Sequence, residues 1–202
     1  MTISNLSRRI GRSGLLTLLL AASLSSHGSD PAPAPANPQP DAAQLSPGLA
    51  VNYYYDYYEW VDELVSSVAN RDPDPGKPLP LLDYRTGTGK VLTSDKSDGV
   101  GAHITGYLHL DAEGEYSLVA MSNDGVRVVL GGVRIIEDPD VHSDQFSRIV
   151  NINVTQAGWY PLEVHYFEKK NTSTLKLLWR RPGSPADAEM TVIPAEYYAH
   201  MK

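Results

Sequence analysis

The residues able to do chemistry in this chain are few, and none falls into a catalytic spacing. The segment 137–146 (EDPDVHSDQF) places Asp138, Asp140 and Asp144 around His142. Asp95 and Asp98 form a second acidic pair, and Asn123-Asp124-Gly125 lies between two apolar runs. Paired carboxylates across a cleft could hydrolyse a glycoside, but no spacing here sets two of them face to face. There is no G-x-S-x-G elbow and no H-E-x-x-H helix, and cysteine is absent, which removes the serine-hydrolase, zinc-protease and thiol signatures. His103, His109, His142, His165 and His200 are scattered without ligand spacing. His103, His109 and His165 take the polar phase of strands, where a solvated imidazole is the expectation. Residues 85–92 (RTGTGKVL) superficially suggest a phosphate loop, but Tyr84 and Val91 stand where that motif needs glycine and serine or threonine. A non-enzymatic protein is expected.

Composition narrows the partners. A net charge of −7 argues against nucleic acid, which calls for a basic face. With no cysteine the chain has no disulfide and no lipid-acceptor residue for an N-terminal anchor.

The elements that must position these groups read as strands. Ile104, Leu108 and Leu110 alternate with His103, Tyr107 and His109, the period-2 pattern of a half-buried strand. Glu113-Gly114, Asn123-Asp124-Gly125 and Gly131-Gly132 punctuate the runs that follow, so the stretch Gly106–Gly132 predicts three strands joined by two tight hairpin turns. Later runs alternate too, with Tyr160, Leu162, Val164 and Tyr166 on one face and Leu175, Leu177 and Trp179 on another. One core is expected to hold Leu108, Leu118, Val128, Leu162, Val164, Leu177 and Trp179. Trp60, Val61, Leu64, Val65 and Val68 recur at helical spacing, predicting a short helix near 57–69. Five tyrosines between 53 and 58 fit core and rim packing better than sugar stacking. The fold expected is all-β, an antiparallel sandwich or barrel.

The N-terminus reads differently. Arg8, Arg9 and Arg12 precede a short apolar run, Leu15 to Ala22, and small residues. Residues 1–27 thus predict a cleaved signal peptide and an exported protein (periplasmic, secreted or cell-surface), with no membrane span after cleavage. Ser7-Arg8-Arg9 leaves twin-arginine export open beside the general route, although Gly11 departs from that pattern. Residues 28–47 carry six prolines and predict an extended linker without a core, placing the β domain at 48–202. Sequons at Asn153 and Asn171 carry little weight beside a leader of bacterial type.

An ordered series of motifs resembles the PA14 domain family over about residues 48–200. It runs through Gly106-Tyr107-Leu108, Gly114-Glu115-Tyr116-Ser117-Leu118, Ser122 to Arg127, Gly131-Gly132, Ala157 to Tyr160, Tyr166-Phe167-Glu168 and Leu175 to Gly183. The resemblance implies a β-sandwich. In the sugar-binding branch, adjacent aspartates joined by a cis peptide hold one calcium ion that bridges to sugar hydroxyls. The position corresponds to Asn123-Asp124, where an amide has replaced the first carboxylate. Calcium prefers six to eight oxygens, and further ones are available from Asp138, Asp140 and Asp144, or from Asp95 and Asp98. The alternative is that Asn-Asp-Gly is only good turn chemistry. The resemblance therefore implies a lectin-like glycan-binding module, calcium-assisted through Asn123 and Asp124, with Asp138, Asp140 and His142 as further ligand contacts. A structural or protein-interaction module docking another envelope protein is the second reading.

Overall fold

The computed structural model describes residues 32–202 together with Met1; the expected signal peptide and the start of the linker otherwise lie outside the described residues. The strands are β1 (Leu45–Pro47), β2 (Ala50–Tyr55), β3 (Asp74–Pro75), β4 (Asp83–Thr86), β5 (Val100–Leu110), β6 (Gly114–Asn123) and β7 (Val126–Leu130). They continue as β8 (Val133–Asp138), β9 (Gln145–Phe146), β10 (Val150–Val154), β11 (Gly158–Glu168), β12 (Ser173–Arg180), β13 (Thr191–Val192) and β14 (Tyr198–Met201). Among the described residues one α-helix, α1 (Val61–Asn70), joins β2 to β3.

Two antiparallel sheets form a sandwich. The larger runs β1-β14-β5-β11-β7-β8, with β2 on β5 and β3 on β2; the smaller runs β10-β6-β12-β13, with β4 on β12 and β9 on β6. Each sheet turns its apolar phase inward. All seven residues expected in the core are buried in one cluster shared by both sheets.

The hairpin expectation holds at only one place. Gly131 and Gly132, both at positive φ, join β7 to β8 in a paired hairpin. β5 and β6 lie in different sheets, as do β6 and β7, so Gly114 and Asn123-Asp124-Gly125 are crossovers and not hairpin turns. Alternation identifies the inward residues, but both sheets offer an inward face, so it cannot say which sheet a strand joins.

The helix begins later than its apolar spacing suggested. Trp60 is extended at φ −142° and 53% exposed. It flanks the helix, whose buried stripe is Val61 and Leu64 against Tyr54, Tyr58 and Phe167. Of the five neighbouring tyrosines, Tyr53, Tyr54 and Tyr58 are buried and Tyr57 is exposed.

The proline-rich segment is also more ordered than its composition implied. From residue 32 it lies against the sandwich edge: the Ala34 amide donates to Gly131, and the Ala36 amide to Trp159. Strand β1 falls inside the expected linker, paired with β14.

Candidate functional site

The crossover between the sheets buries polar side chains. Asn123 ends β6, and its peptide bond to Asp124 is cis. Both side chains are buried, so both need partners. Asp124 Oδ1 accepts from the His142 amide at 3.1 Å, and Oδ2 accepts from the Lys169 amide at 2.7 Å. Asn123 Nδ2 donates to Thr172 Oγ1 at 2.8 Å and to Asp144 Oδ1 at 3.2 Å. Tyr166 Oη donates to the Asn123 carbonyl at 2.6 Å. Residues 139–144, between β8 and β9, thereby meet residues 169–172, between β11 and β12, over the crossover.

The two loops enclose a hollow of about 400 Å³ floored by Asn123 and Asp124 and walled by His142, Lys169, Asn171 and Thr172. A neighbouring hollow of about 420 Å³ shares Asn123, Ser143 and Thr172 and adds Arg85 and Asp144. Lys170, which lines the first hollow, holds its Nζ 5.7 Å from the centroid of the exposed Tyr57 ring.

Electrostatics follow from burial. Burial raises the Asp124 carboxyl, against the pull of the Lys169 and His142 amides. For Asp144 burial acts upward as well, but hydrogen bonds from Thr174 and Asn123 and the charge of Arg85 hold it below the ordinary range. Glu168, behind the floor, is pushed up to about 8 by burial and then by Asp98 and Asp124.

Of the expected ligand-binding residues, Asn123, Asp124 and His142 meet at one hollow. Asp138 and Asp140 do not line it. Asp138 is a strand residue opposite Val126; its carboxylate accepts from Gln145 at 3.2 Å and lies 3.4 Å from His142 Nε2. Asp140 is exposed and bridges to Trp60. Asp95 faces Lys90, and Asp98 Oδ1 accepts from the Asn171 amide at 2.7 Å. Sequence reasoning missed Lys169, Asn171, Thr172 and Arg85. The signal available was the polar run Lys169 to Thr172 between two apolar strands; Asn171 sits there at φ 77°.

The arrangement defines a class: an antiparallel sandwich with a buried polar crossover beneath two loops. The chain belongs to the PA14 domain family, whose family model matches residues 45–189. The PA14 domain of the MpAFP antifreeze protein is similar at 15% identity and TM-score 0.66, covering 80% of this chain and 93% of that one. The PA14 sugar-binding domain from an RTX adhesin is 17% identical with TM-score 0.60, covering 76% and 98%. The epithelial adhesin 9 A domain of Candida glabrata, in complex with Galβ1-3GlcNAc, is 11% identical with TM-score 0.64, covering 86% and 97%. A search of curated proteins returns no match.

Proposed function

We propose that this chain is an exported, non-catalytic glycan-binding module whose site is the hollow over Asn123 and Asp124. The observation that carries the reading is that hollow itself. Its floor is two buried polar side chains, and its walls offer hydroxyl, amide and ammonium groups. Such a set suits sugar hydroxyls. The sandwich places the hollow at a loop end, and structural relatives of the same fold include a sugar-binding domain and a glycan-bound adhesin. Export is supported by the arginine-rich start and short apolar run of residues 1–27.

Calcium fits this donor set only weakly. Asp124 keeps lone pairs beyond the two amides it accepts from. Asp144, however, already receives three donors, one of them the Arg85 guanidinium at 3.0 Å. Asn123 turns its amide nitrogen toward Asp144, so an ion there requires the amide to rotate its oxygen inward. Asn123 and Asp124 would hold the ion, which would bridge to sugar hydroxyls. Its affinity is expected at the weak end, about 10⁻⁴–10⁻³ M.

Glycan-array screening with calcium and with chelator identifies a ligand, and calorimetry then compares the wild type with Asp124→Ala and Asn123→Asp. Asp124→Ala is expected to abolish binding. Asn123→Asp is expected to tighten calcium, because it restores a second carboxylate beside Asp124 in the turn and adds attraction to a divalent ion at contact distance. Equal affinity in all three, or no glycan bound, overturns the reading. The second reading, docking of another envelope protein, would then lead, supported by Tyr57 and Trp60, 58% and 53% exposed.

A further inference from the structure

The outer face of the larger sheet, away from the hollow, carries a cluster that the glycan reading leaves unused. His103 on β5 lies directly opposite His165 on β11, and residues opposite in an antiparallel pair share a face. Glu163 lies two residues before His165 and so projects from that face too. His103 Nε2 is 2.7 Å from Glu163 Oε1, and His165 Nε2 is 3.6 Å from the same oxygen. The two imidazoles stack with centroids 4.8 Å apart.

His165 is the unusual member. Its residue exposure is 6%, Nδ1 has no hydrogen-bond partner, and Nε2 stands outside hydrogen-bond reach of the one carboxylate it faces. Burying a polar ring without a partner is unfavourable. The nearby cation does not fill the gap: Arg127, opposite His165 on β7, is held by both Glu137 oxygens and by Asp62. A buried imidazole, a second imidazole and a carboxylate thus converge with ligand atoms all within 4.8 Å of one another.

The geometry points to a binding site for one divalent transition-metal ion, zinc foremost, held by His103, Glu163 and His165. Zinc bonds of about 2.0–2.2 Å at tetrahedral angles separate neighbouring ligand atoms by roughly 3.3–3.5 Å. The observed 2.7 and 3.6 Å lie on either side of that range, and all three ligand atoms fall within 4.8 Å of one another. Two imidazoles and one carboxylate suit zinc, and hard calcium is disfavoured. The protein supplies three ligands, so a fourth position is left for water. Glu163 is also a wall of a groove of about 480 Å³ with Thr105, Tyr107, Pro161 and His200, which gives an ion at this carboxylate access to solvent.

The full chain, stripped with chelator and dialysed, is titrated with zinc by calorimetry and with cobalt(II) by visible absorption. One zinc per chain and a cobalt spectrum of tetrahedral type are expected. His103→Gln and Glu163→Gln alter partly exposed side chains, and metal-free melting checks that each folds. Each is expected to weaken zinc at least about tenfold, while His109→Gln and Asp124→Ala leave it unchanged. No zinc uptake by the wild type, or unchanged affinity in both His103→Gln and Glu163→Gln, overturns the site. Loss of zinc in Asp124→Ala overturns it too, since that would place the ion at the glycan hollow.

Discussion

Glu168 is completely buried, and neither of its carboxylate oxygens has a hydrogen-bond partner. Burial first, then Asp98 and Asp124, push its pKa up to about 8. Unfolded, the same group titrates near 4.3. Between those values the folded state keeps a proton that the unfolded state has released, so Glu168 lowers stability as pH rises through this window. His165 acts oppositely. Folding depresses it to about 4, so its contribution grows as pH rises toward the unfolded value of about 6.5 and is constant above it. The window from about 6.5 to 8 therefore isolates Glu168. Urea unfolding in chelator is expected to show wild-type stability falling across it and Glu168→Gln holding level; parallel curves would refute the assignment. At this scale the sequence was legible where burial follows alternation, as for Leu108 or Val164. It was silent on Glu168, which continues the inward phase of β11 beneath the crossover, and misleading on His165, which takes the outward phase beside Arg127. His165 was expected in solvent because its phase is polar, but phase does not reveal what covers the outer face.

Elements were legible where one period settles the matter. The last long strand, β12, is such a case. Leu175, Leu177 and Trp179 are all buried, and β12 pairs with β6, β4 and β13. Trp179 meets Tyr197 edge-on at 4.7 Å and Tyr116 at 5.6 Å, with the Arg181 guanidinium 5.7 Å above its ring. Emptying so large an aromatic site is expected to destabilise the domain by about 3–5 kcal/mol. Chemical denaturation of Trp179→Ala measures this, and a loss below about 1 kcal/mol would show that the ring is not part of the core. Legibility failed where a pattern had two solutions. Trp60 fits the helical spacing, yet Glu63 Oε2 accepts from the Glu59 and Trp60 amides at 2.7 and 3.4 Å and starts the helix one residue later. Asn-Asp-Gly fits a hairpin, yet β6 finds its partners in β10 and β12. The candidate site exists because the chain changes sheets there: the crossover buries two polar side chains that a solvated hairpin tip would leave in water.

For the whole molecule, backbone contacts with the sandwich extend further upstream than hydrophobicity alone suggests. Residues 32–47 contribute no fully buried side chain. What composition does not reveal is backbone docking. Gln39 brackets Trp159, its Oε1 accepting from the Trp159 amide at 2.7 Å and its Nε2 donating to the carbonyl at 3.0 Å. Asp41 and Gln44 cap a short 3₁₀ turn, and the Lys202 amide donates to Gln44 at 3.0 Å. Strand β1 then covers β14 in register from Leu45 opposite Met201 to Pro47 opposite Ala199. Without β1, β14 would present an open sheet edge, a template for pairing with another chain. A chain beginning at Gly48 is therefore expected to be less stable than one beginning at Ala32 by about 1–3 kcal/mol, since each hydrogen bond lost contributes about 0.5–1.5 kcal/mol net and ordering the segment offsets part of the sum. It is also expected to self-associate. Urea midpoints and light scattering on the two chains decide the matter. If both unfold at the same midpoint and both scatter as monomers, the upstream segment is a passenger, and the domain begins at Gly48 as its hydrophobic pattern alone suggests.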